Sequence, residues 1–244
     1  MKNKTFFSIS ILFMGLILVF ANSCKKDDPQ DPTTFTDSRD GNVYKTVTIG
    51  SQVWMAENLR YLPSVVGPSA ASDTKPYYYV YGYEGTDVAE AKAKENYKTY
   101  GVLYNWSAAM AGAEPSETNP SGVKGVCPTG WHLPSVAEWT ELIEFMGGQD
   151  KAAAQLKEAG TIHWAGPNAG VTNESGFTAL PGGYRLRDGG YAYINDSGYW
   201  WGATEYKDNN ANAYYWKMNF DSDEVFRYPG GKTIGFSVRC IRDK

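Results

Sequence analysis

Few residues of this chain have the types and spacing that catalysis or metal binding requires. The chain contains three cysteines, Cys24, Cys127 and Cys240, and two histidines, His132 and His163. No two cysteines have the C-x-x-C spacing of a zinc site, so we expect no metal centre. The Gly-x-Ser-x-Gly, His-Glu-x-x-His and glycine-rich phosphate motifs are also missing from the sequence. We therefore expect no cofactor and no catalytic residue.

The beginning of the chain indicates secretion and attachment to a membrane. Two lysines precede the apolar stretch 6–20, small polar residues follow it, and Cys24 comes next. This order predicts a secretory signal peptide over 1–23, because the apolar stretch is shorter than the roughly 20 residues of a membrane-spanning helix. A cysteine at this place resembles the lipobox of bacterial lipoproteins, although that motif favours an apolar residue where Ala21 stands. The resemblance implies acylation of Cys24, with palmitate as one of the lipids; an ordinary signal peptide with an unrelated cysteine is the alternative.

Residues 24–36 are polar, charged and proline-bearing, which predicts a flexible tether. A lysine followed by two acids just after Cys24 resembles the signal that exports lipoproteins of Bacteroidota to the outer face of the outer membrane. The resemblance implies an outer membrane lipoprotein that faces the cell exterior. A solvated linker without a sorting role is the alternative.

The two remaining cysteines are expected to form a disulfide. If Cys24 is acylated, Cys127 and Cys240 remain as a pair in an oxidising compartment. Two buried free thiols are the alternative. A disulfide would close a loop of 113 residues, and the chain-entropy treatment gives such a loop a stabilisation of about 4–5 kcal/mol.

Aromatic, amide and acidic side chains late in the chain are the candidates for ligand binding. Exposed aromatic rings stack on sugar faces, while Asn, Asp and Arg side chains fix sugar hydroxyls. The candidates are Trp200, Trp201, Asn195, Asp196, Glu205, Asp208, Asn209 and Asn210. For the tryptophans, a place in the core is the alternative.

Calcium binding has no support from a motif. The Glu-Pro-Asn and Gln-Pro-Asp triplets of calcium-dependent lectins are missing, and the nearest phrase is Glu114-Pro115-Ser116. The acids Asp221, Asp223 and Glu224 are more typical of a solvated hairpin turn than of an ion site.

The composition is that of one acidic globular domain. Removal of 1–23 takes away two lysines and no acid, which changes the formal net charge from -4 to -6, so we expect no binding to nucleic acid. No repeat or composition break divides 37–244, which we take as one domain. Aromatic residues make up 15% of the chain, and together with the many glycines they favour short strands and long structured loops. The sequence therefore predicts a loop-rich α+β fold.

Strand patterns early and late in the chain must position the candidate residues. Val43–Ile49 and Gln52–Met55 predict a hairpin with a type II′ turn at Gly50 and with Trp54 buried. Four later stretches predict an antiparallel sheet: 199–204, 213–220, 225–228 and 233–241.

Two further features have alternative interpretations. Gly182-Gly183 before Arg185 indicates a turn, with a backbone cradle for an anion as the alternative. Arg239 lies in a stretch with the pattern of a buried strand, so we expect it to pair with an internal acid.

One helix between these strands has clear boundaries. Ser135 and Glu138 predict a capping box, an apolar stripe then runs to Met146, and Gly147-Gly148 ends the helix. Shorter helices are predicted at 103–110 and 151–159, and loops at 64–76, 112–126 and 165–176.

Several phrases, taken together, resemble one known family. In chain order they are 40–44 (DGNVY), 49–59 (IGSQVWMAENL), 100–106 (YGVLYNW), 127–134 (CPTGWHLP), 180–185 (LPGGYR), 199–201 (YWW) and 235–240 (GFSVRC). They resemble the Fibrobacter major paralogous domain family (FISUMP), which is frequent in surface lipoproteins of Bacteroidota and Fibrobacteres. The resemblance covers about 37–243 and implies no established activity.

That family is in turn similar to the C-type lectin-like superfamily, which includes the formylglycine-generating enzymes. The shared phrases are 131–134 (WHLP), Glu138-Trp139, Gly235-Phe236 and Arg239. The similarity implies a small twisted antiparallel sheet that joins both ends of the domain, two or three helices and long structured loops.

Three functions are compatible with these observations. The first is a non-catalytic binding module at the cell surface, with a glycan or a surface protein as its ligand and the membrane reached through the lipid anchor. The second is a structural or adhesive component of the envelope. The third is an enzyme related to the formylglycine generators, whose chemistry needs free thiols. It is less favoured, because Cys127 and Cys240 lie in phrases typical of scaffold.

Overall fold

The computed structural model of this protein describes Met1 and residues 33–168 and 170–244. Backbone contacts divide the chain into Met1–Asp31 and Pro32–Lys244, and every described helix and strand lies in the second unit. Cys24, the expected signal peptide apart from Met1, and the tether up to residue 32 lie outside the described residues. In the part of the chain that the structure describes, no helix has the length and apolar character needed to cross a bilayer.

The second unit contains short strands and short helices. The strands are β1 (Thr33–Thr36), β2 (Val43–Ile49), β3 (Gln52–Met55), β4 (Tyr78–Tyr79), β5 (Leu103–Tyr104), β6 (Trp131–His132), β7 (Gly182–Arg185), β8 (Tyr191–Ile194), β9 (Ser197–Glu205), β10 (Asn212–Asn219), β11 (Phe226–Gly231) and β12 (Ile241–Arg242). The helices are α1 (Val88–Ala93), α2 (Glu95–Tyr100), α3 (Trp106–Met110), α4 (Val136–Phe145) and α5 (Ala152–Leu156). This mixture of small antiparallel sheets and short helices agrees with the predicted α+β class.

A five-stranded sheet joins the early and the late parts of the unit. Its strand order is β1-β2-β3-β12-β6, and Ile241 pairs with Trp54 on one side and with His132 on the other. The predicted hairpin of β2 and β3 is confirmed, and Gly50 has the positive φ of 59° that a type II′ turn requires. Strand β1 takes up the last four residues of the expected tether, because these pair with β2.

A three-stranded antiparallel sheet, in the order β11-β10-β9, contains three of the four predicted late strands. The prediction of a fourth strand over 233–241 is wrong for most of that stretch. Its backbone groups bond to several elements in turn, such as Gly235 to Arg185, Phe236 to Tyr104 and Ser237 to Tyr199. These bonds satisfy the buried backbone without a regular ladder.

Helix α4 begins where the sequence predicts and ends at Phe145, one residue before the predicted Met146. The Ser135 hydroxyl accepts from the Glu138 backbone N–H at 3.3 Å, and Glu138 Oε2 accepts from the Ser135 N–H at 3.0 Å. Gly147 follows the helix with a φ of 90°. This capping box satisfies two backbone donors that the first helical turn leaves free.

The other helix predictions need correction. The stretch 103–110 is not one helix: β5 precedes α3, and the side chain of Asn105 between them accepts from the Ala108 N–H at 3.0 Å. An asparagine that caps in this way starts the helix at the residue that follows it, here Trp106, and not at the predicted residue 103. Helix α5 is shorter than the predicted 151–159, and α1 and α2 were not predicted.

Two clusters of buried side chains lie on opposite faces of the β9-β10-β11 sheet. Trp201 and Phe236 belong to one cluster, and Trp139, Trp200 and Trp216 belong to the other. In the second cluster Trp139 stacks on Trp216 with 4.9 Å between ring centroids. The sheet is therefore covered on both faces over much of its area.

Arg239 is fully buried, but the expected pairing with an acid is wrong. Its guanidinium donates to the carbonyls of Phe177 and Thr178 and to the side-chain oxygen of Asn58. Burial lowers the pKa of Arg239 to about 9, and the charge of Glu57 offsets only part of this effect. Main-chain and amide dipoles thus replace the carboxylate.

The predicted disulfide is confirmed. Cys127 and Cys240 are joined, with their Cα atoms 6.0 Å apart, and both residues are fully buried. The bond connects the segment before β6 to the segment before β12.

Candidate functional site

One face of the β9-β10-β11 sheet carries aromatic side chains in neighbouring positions. Tyr215 of β10 pairs with Trp201 of β9 and Tyr228 of β11, and the same strand's Lys217 pairs with Tyr199 and Phe226. Residues directly opposite each other in antiparallel strands project to the same face. The pairing register therefore collects these rings on one side of the sheet.

The β7-β8 hairpin extends this surface. We define the tyrosine face by its seven residues, Tyr184, Tyr193, Tyr199, Tyr215, Lys217, Phe226 and Tyr228. Tyr193 and Tyr228 are 51% and 44% exposed, whereas Tyr199 is buried beneath the others. The remaining members are half-buried.

The rings of the tyrosine face form a continuous series of contacts. Tyr193 stacks on Tyr184 with 5.8 Å between centroids, and Tyr184 contacts Tyr199 at 4.8 Å. Tyr215 contacts both Tyr199 and Tyr228 at 6.1 Å. Such contacts hold aromatic side chains rigidly, so the surface is already formed before a ligand arrives.

Tyr193 is held in an unfavourable backbone conformation. Its φ is 63°, in the left-handed region that large residues rarely occupy. This conformation costs on the order of 1–3 kcal/mol, yet it presents an exposed ring that contributes little to the core. Strain of this kind is concentrated at functional sites.

The phenol groups of Tyr184 and Tyr215 remain neutral at physiological pH. Burial raises the pKa of Tyr215 to about 12 and raises that of Tyr184 above its ordinary value of 10. A neutral phenol both donates and accepts hydrogen bonds. The face therefore offers stacking surfaces and hydroxyl groups together.

The two tryptophans proposed as ligand contacts are core residues, and that prediction is corrected. Trp200 and Trp201 are fully buried. The indole N–H of Trp200 donates to Asn58 Oδ1 at 2.8 Å, and that of Trp201 donates to the Tyr104 carbonyl at 2.8 Å. Neither ring is available for stacking on a sugar.

The other predicted ligand contacts lie at the two ends of β9. Asn195 and Asp196 precede it, whereas Glu205, Asp208, Asn209 and Asn210 lie at or after its end. Strand β9 is nine residues long, and a strand rises roughly 3.3 Å per residue. The two groups are therefore about 25–30 Å apart. They cannot form one small site.

Several of these side chains already have partners inside the protein. The Asn195 amide donates to the His163 carbonyl at 2.7 Å, and Glu205 forms an ion pair with Lys232 at 2.5 Å. The Asp196 carboxylate accepts from the Ser197 hydroxyl at 2.8 Å. These bonds hold turns and loops in place.

In the hairpin loop after β9, the Asp208 carboxylate raises the pKa of Tyr206, and Asn209 Oδ1 accepts from the Ala211 N–H at 3.0 Å. Asn210 is exposed in the same loop. This end of β9 therefore presents a turn stabilised by its own side chains.

The acidic turn considered for an ion holds a lysine ammonium instead. The buried Lys157 donates to the carbonyls of Asn219 and Ser222 at 2.8 and 2.9 Å. Burial lowers the pKa of Lys157, and the charges of Asp223 and Asp221 oppose that shift. Over the described residues, no group of three or more His, Cys, Asp or Glu side chains is placed to hold a metal ion.

Gly182 and Gly183 form neither a turn nor an anion cradle, because both lie within β7. The Arg185 guanidinium donates to the carbonyls of Pro68, Ala70 and Thr233. With these acceptors, Arg185 ties a loop to the hairpin and has no donor directed at an anion.

The comparison with known families identifies the chain's relatives. Residues 47–242 match the family described as the Fibrobacter succinogenes major domain. The chain belongs to that family. The predicted resemblance is confirmed over most of its length. No curated protein and no solved structure matches the chain.

The matched part of this Fibrobacter succinogenes major domain contains the whole tyrosine face. The face was not predicted, because tyrosines in such stretches are typical of strands, whereas the predicted ligand contacts were tryptophans, amides and acids. A signal was present: Tyr215 and Lys217, like Phe226 and Tyr228, are two positions apart and so share a side of their strand. The hairpin that adds Tyr184 and Tyr193 has no such local signal.

The Fibrobacter succinogenes major domain also has a small cleft around His132. Two adjoining cavities of about 130 and 260 Å³ share His132, Pro120, Asp243 and Lys244 in their lining. His132 Nε2 lies 2.7 Å from Glu138 Oε1, and its Nδ1 lies 2.6 Å from Asp243 Oδ1. Both ring nitrogens are thus occupied, and the ring is 4% exposed.

The second oxygen of Glu138 accepts from the backbone N–H groups of Ser121 and Ser135. No nitrogen of His132 is left to take a proton from a substrate, which general base catalysis requires. The geometry favours a structural role, in which His132 connects the C-terminal segment to the start of α4.

Proposed function

We propose that this chain is a non-catalytic binding module of a surface-anchored lipoprotein and that it binds glycans on the tyrosine face. The observation that carries the proposal is the continuous series of tyrosine rings, in which Tyr193 and Tyr228 are exposed at the two ends, Tyr184 and Tyr215 are half-buried and Tyr199 is buried beneath them. Tyrosine supplies a large rigid contact area at a low cost in conformational entropy, and its hydroxyl bonds polar ligands. An extended row of rings suits a chain of several sugar units better than a single small molecule.

The strained backbone of Tyr193 supports the same proposal. Glycine or asparagine would adopt this φ at a lower conformational cost than tyrosine, so the turn alone does not require this residue. An exposed tyrosine at this φ is explained by a contact that its ring makes with a ligand.

Three further proposals accompany this one. The module has the C-type lectin-like fold, which the meeting of early and late strands in one sheet supports. It acts without calcium, because Lys157 fills the acidic turn. It is not an enzyme of the formylglycine-generating type, because the two cysteines of the described unit are joined and buried.

The location of the protein is likewise a proposal. The apolar stretch 6–20, the cysteine at position 24 and the acids after it support lipid attachment at Cys24 and a place on the outer face of the outer membrane. Replacement of Cys24 by alanine should release the folded protein from the membrane fraction.

The test is a glycan array probed with the detergent-solubilised full-length protein, with and without EDTA. We expect saturable binding to one glycan class, unaffected by EDTA. The double variant Tyr193→Ala/Tyr228→Ala should bind about tenfold or more weakly, since buried aromatic anchors contribute on the order of 2 kcal/mol at interfaces.

Phe145→Ala is the matched control, because Phe145 is an aromatic residue that is 61% exposed but lies on α4, outside the tyrosine face. It should bind as the wild type does. No saturable binding to any glycan would contradict the proposal and would leave the face as a surface for protein. Equal losses in the Phe145 and tyrosine variants would also contradict it.

A further inference from the structure

Lys217 lies at the centre of the tyrosine face. Its cross-strand neighbours are Tyr199 and Phe226. The ammonium nitrogen is 5.6 Å from the ring centroid of Tyr199 and 5.9 Å from that of Tyr193. These rings hold the cation through their negative faces.

The charge of Lys217 is not neutralised by the protein. Across 33–168 and 170–244, no carboxylate forms an ion pair with Lys217, and no acceptor lies within hydrogen-bond distance of its ammonium group. Two other lysines with little exposure differ in this respect. Lys232 is paired with Glu205, and Lys157 is bonded to two carbonyls.

A cation surrounded by aromatic rings favours an anionic ligand. Lys217 is half-buried beside the rings, and a charge-assisted hydrogen bond strengthens as the local dielectric constant falls. The protein as a whole has a formal net charge of -4, so the field of the whole molecule does not attract anions. An anion would therefore be recognised at short range, by Lys217 itself.

We propose that the tyrosine face binds polysaccharides that carry carboxylate groups, with Lys217 as the group that bonds the carboxylate while the exposed tyrosines, Tyr193 and Tyr228, stack on the sugar rings. This inference rests on the proposed function and names the class of glycan. It makes Lys217 a determinant of specificity.

The experiment compares acidic oligosaccharides with their neutral esters. The probes are oligogalacturonate and oligomers of alginate, each beside its methyl ester, which has the same sugar chain without the charge. We expect the full-length protein to bind at least one acid form about tenfold more tightly than its ester. The preference should shrink as salt is added, because salt screens the interaction.

Lys217→Gln should bind the acid form and the ester equally. Lys45→Gln is the control, because it removes the same charge from an exposed position on β2, outside the tyrosine face. That variant should keep the preference, and both variants should unfold at the same temperature as the wild type.

Two results would overturn the inference and leave the proposed function standing: equal binding of acid and ester by the wild type, or a preference that survives in Lys217→Gln. Failure to bind either form of any probe, together with a negative glycan array, would overturn both.

Discussion

At the scale of single residues, His132 shows how the surroundings of one group set a dependence on pH. Burial lowers the pKa of this imidazole, but the hydrogen bonds and charges of Glu138 and Asp243 raise it more. The pKa in the folded protein therefore lies above the ordinary value of 6.5. The protonated ring and its two carboxylates form a charge-assisted connection between β6, α4 and the C-terminal segment.

The first prediction concerns this histidine. Because its pKa is higher in the folded state than in the unfolded state, its contribution to stability is complete below pH 6.5 and is lost as the pH rises through the folded-state pKa. His132→Gln should remove this fall in the free energy of unfolding. Urea denaturation over a series of pH values measures it.

His163→Gln is the control, since His163 contacts one carboxylate, that of Glu158, and is more exposed. It should leave most of the pH dependence intact. If His132→Gln keeps the full dependence of the wild type, the explanation is wrong.

At the scale of secondary structure, the β7-β8 hairpin depends on Gly183. This residue has a φ of 61°, and a methyl group there would lie 2.7 Å from the Ile194 nitrogen and 2.8 Å from the Tyr81 ring, with the Ala192 carbonyl closer still. Backbone atoms cannot move aside as the end of a flexible side chain does. The hairpin that presents Tyr184 and Tyr193 thus allows no side chain at this position.

The second prediction is that Gly183→Ala destabilises the fold by roughly 2–4 kcal/mol, of which about 1–2 comes from the left-handed backbone and the rest from overpacking. Gly130→Ala isolates the first part, because Gly130 has a φ of 82° and open space around it. It should cost only about 1–2 kcal/mol. Equal losses in the two variants, measured by urea denaturation, would show that packing at Gly183 is unimportant.

Elements with strong local signals were predictable from the sequence, and those specified by distant contacts were not. The capping box at Ser135 and the glycine turn at Gly50 each depend on a few adjacent residues. The stretch 233–241 has the composition of a strand, but its partners come from β5, β7 and β9. No local sequence pattern indicates such distant hydrogen-bond partners.

The candidate site was less predictable for the same reason. The alternating residues of β10 and β11 show which side chains share a face, but not whether that face is covered. Trp200 and Trp201 are next to each other in the sequence and point to opposite faces, and both faces are covered at this point. The type of a residue alone could not distinguish these tryptophans from exposed ligand contacts.

At the scale of the whole molecule, the disulfide joins distant parts of the chain. Cys127 and Cys240 are separated by 113 residues, and the loop between them includes α4 and the three strands of the β9-β10-β11 sheet. Reduction would free that loop in the unfolded state.

The third prediction is that Cys127→Ala/Cys240→Ala lowers the free energy of unfolding by about 4–5 kcal/mol, because the unfolded chain regains the entropy of the closed loop. A reducing agent should destabilise the wild type by a similar amount and should not affect the double variant. Guanidinium denaturation with and without reductant measures both. Unchanged stability in the double variant would refute the prediction.

The position of β1 has a mechanical consequence. It is the edge strand of the five-stranded sheet and is bonded on one side only, to β2. If the chain is anchored ahead of β1 and the domain binds an immobile ligand, a pulling force acts on the fold at Thr33. This force would detach β1 from β2 first. Its four residues would extend by about 13 Å at roughly 3.3 Å per residue before β2 bears the load. Strand β1 would thus detach and extend first, while the part of the fold that is closed by the disulfide and presents the tyrosine face remains folded.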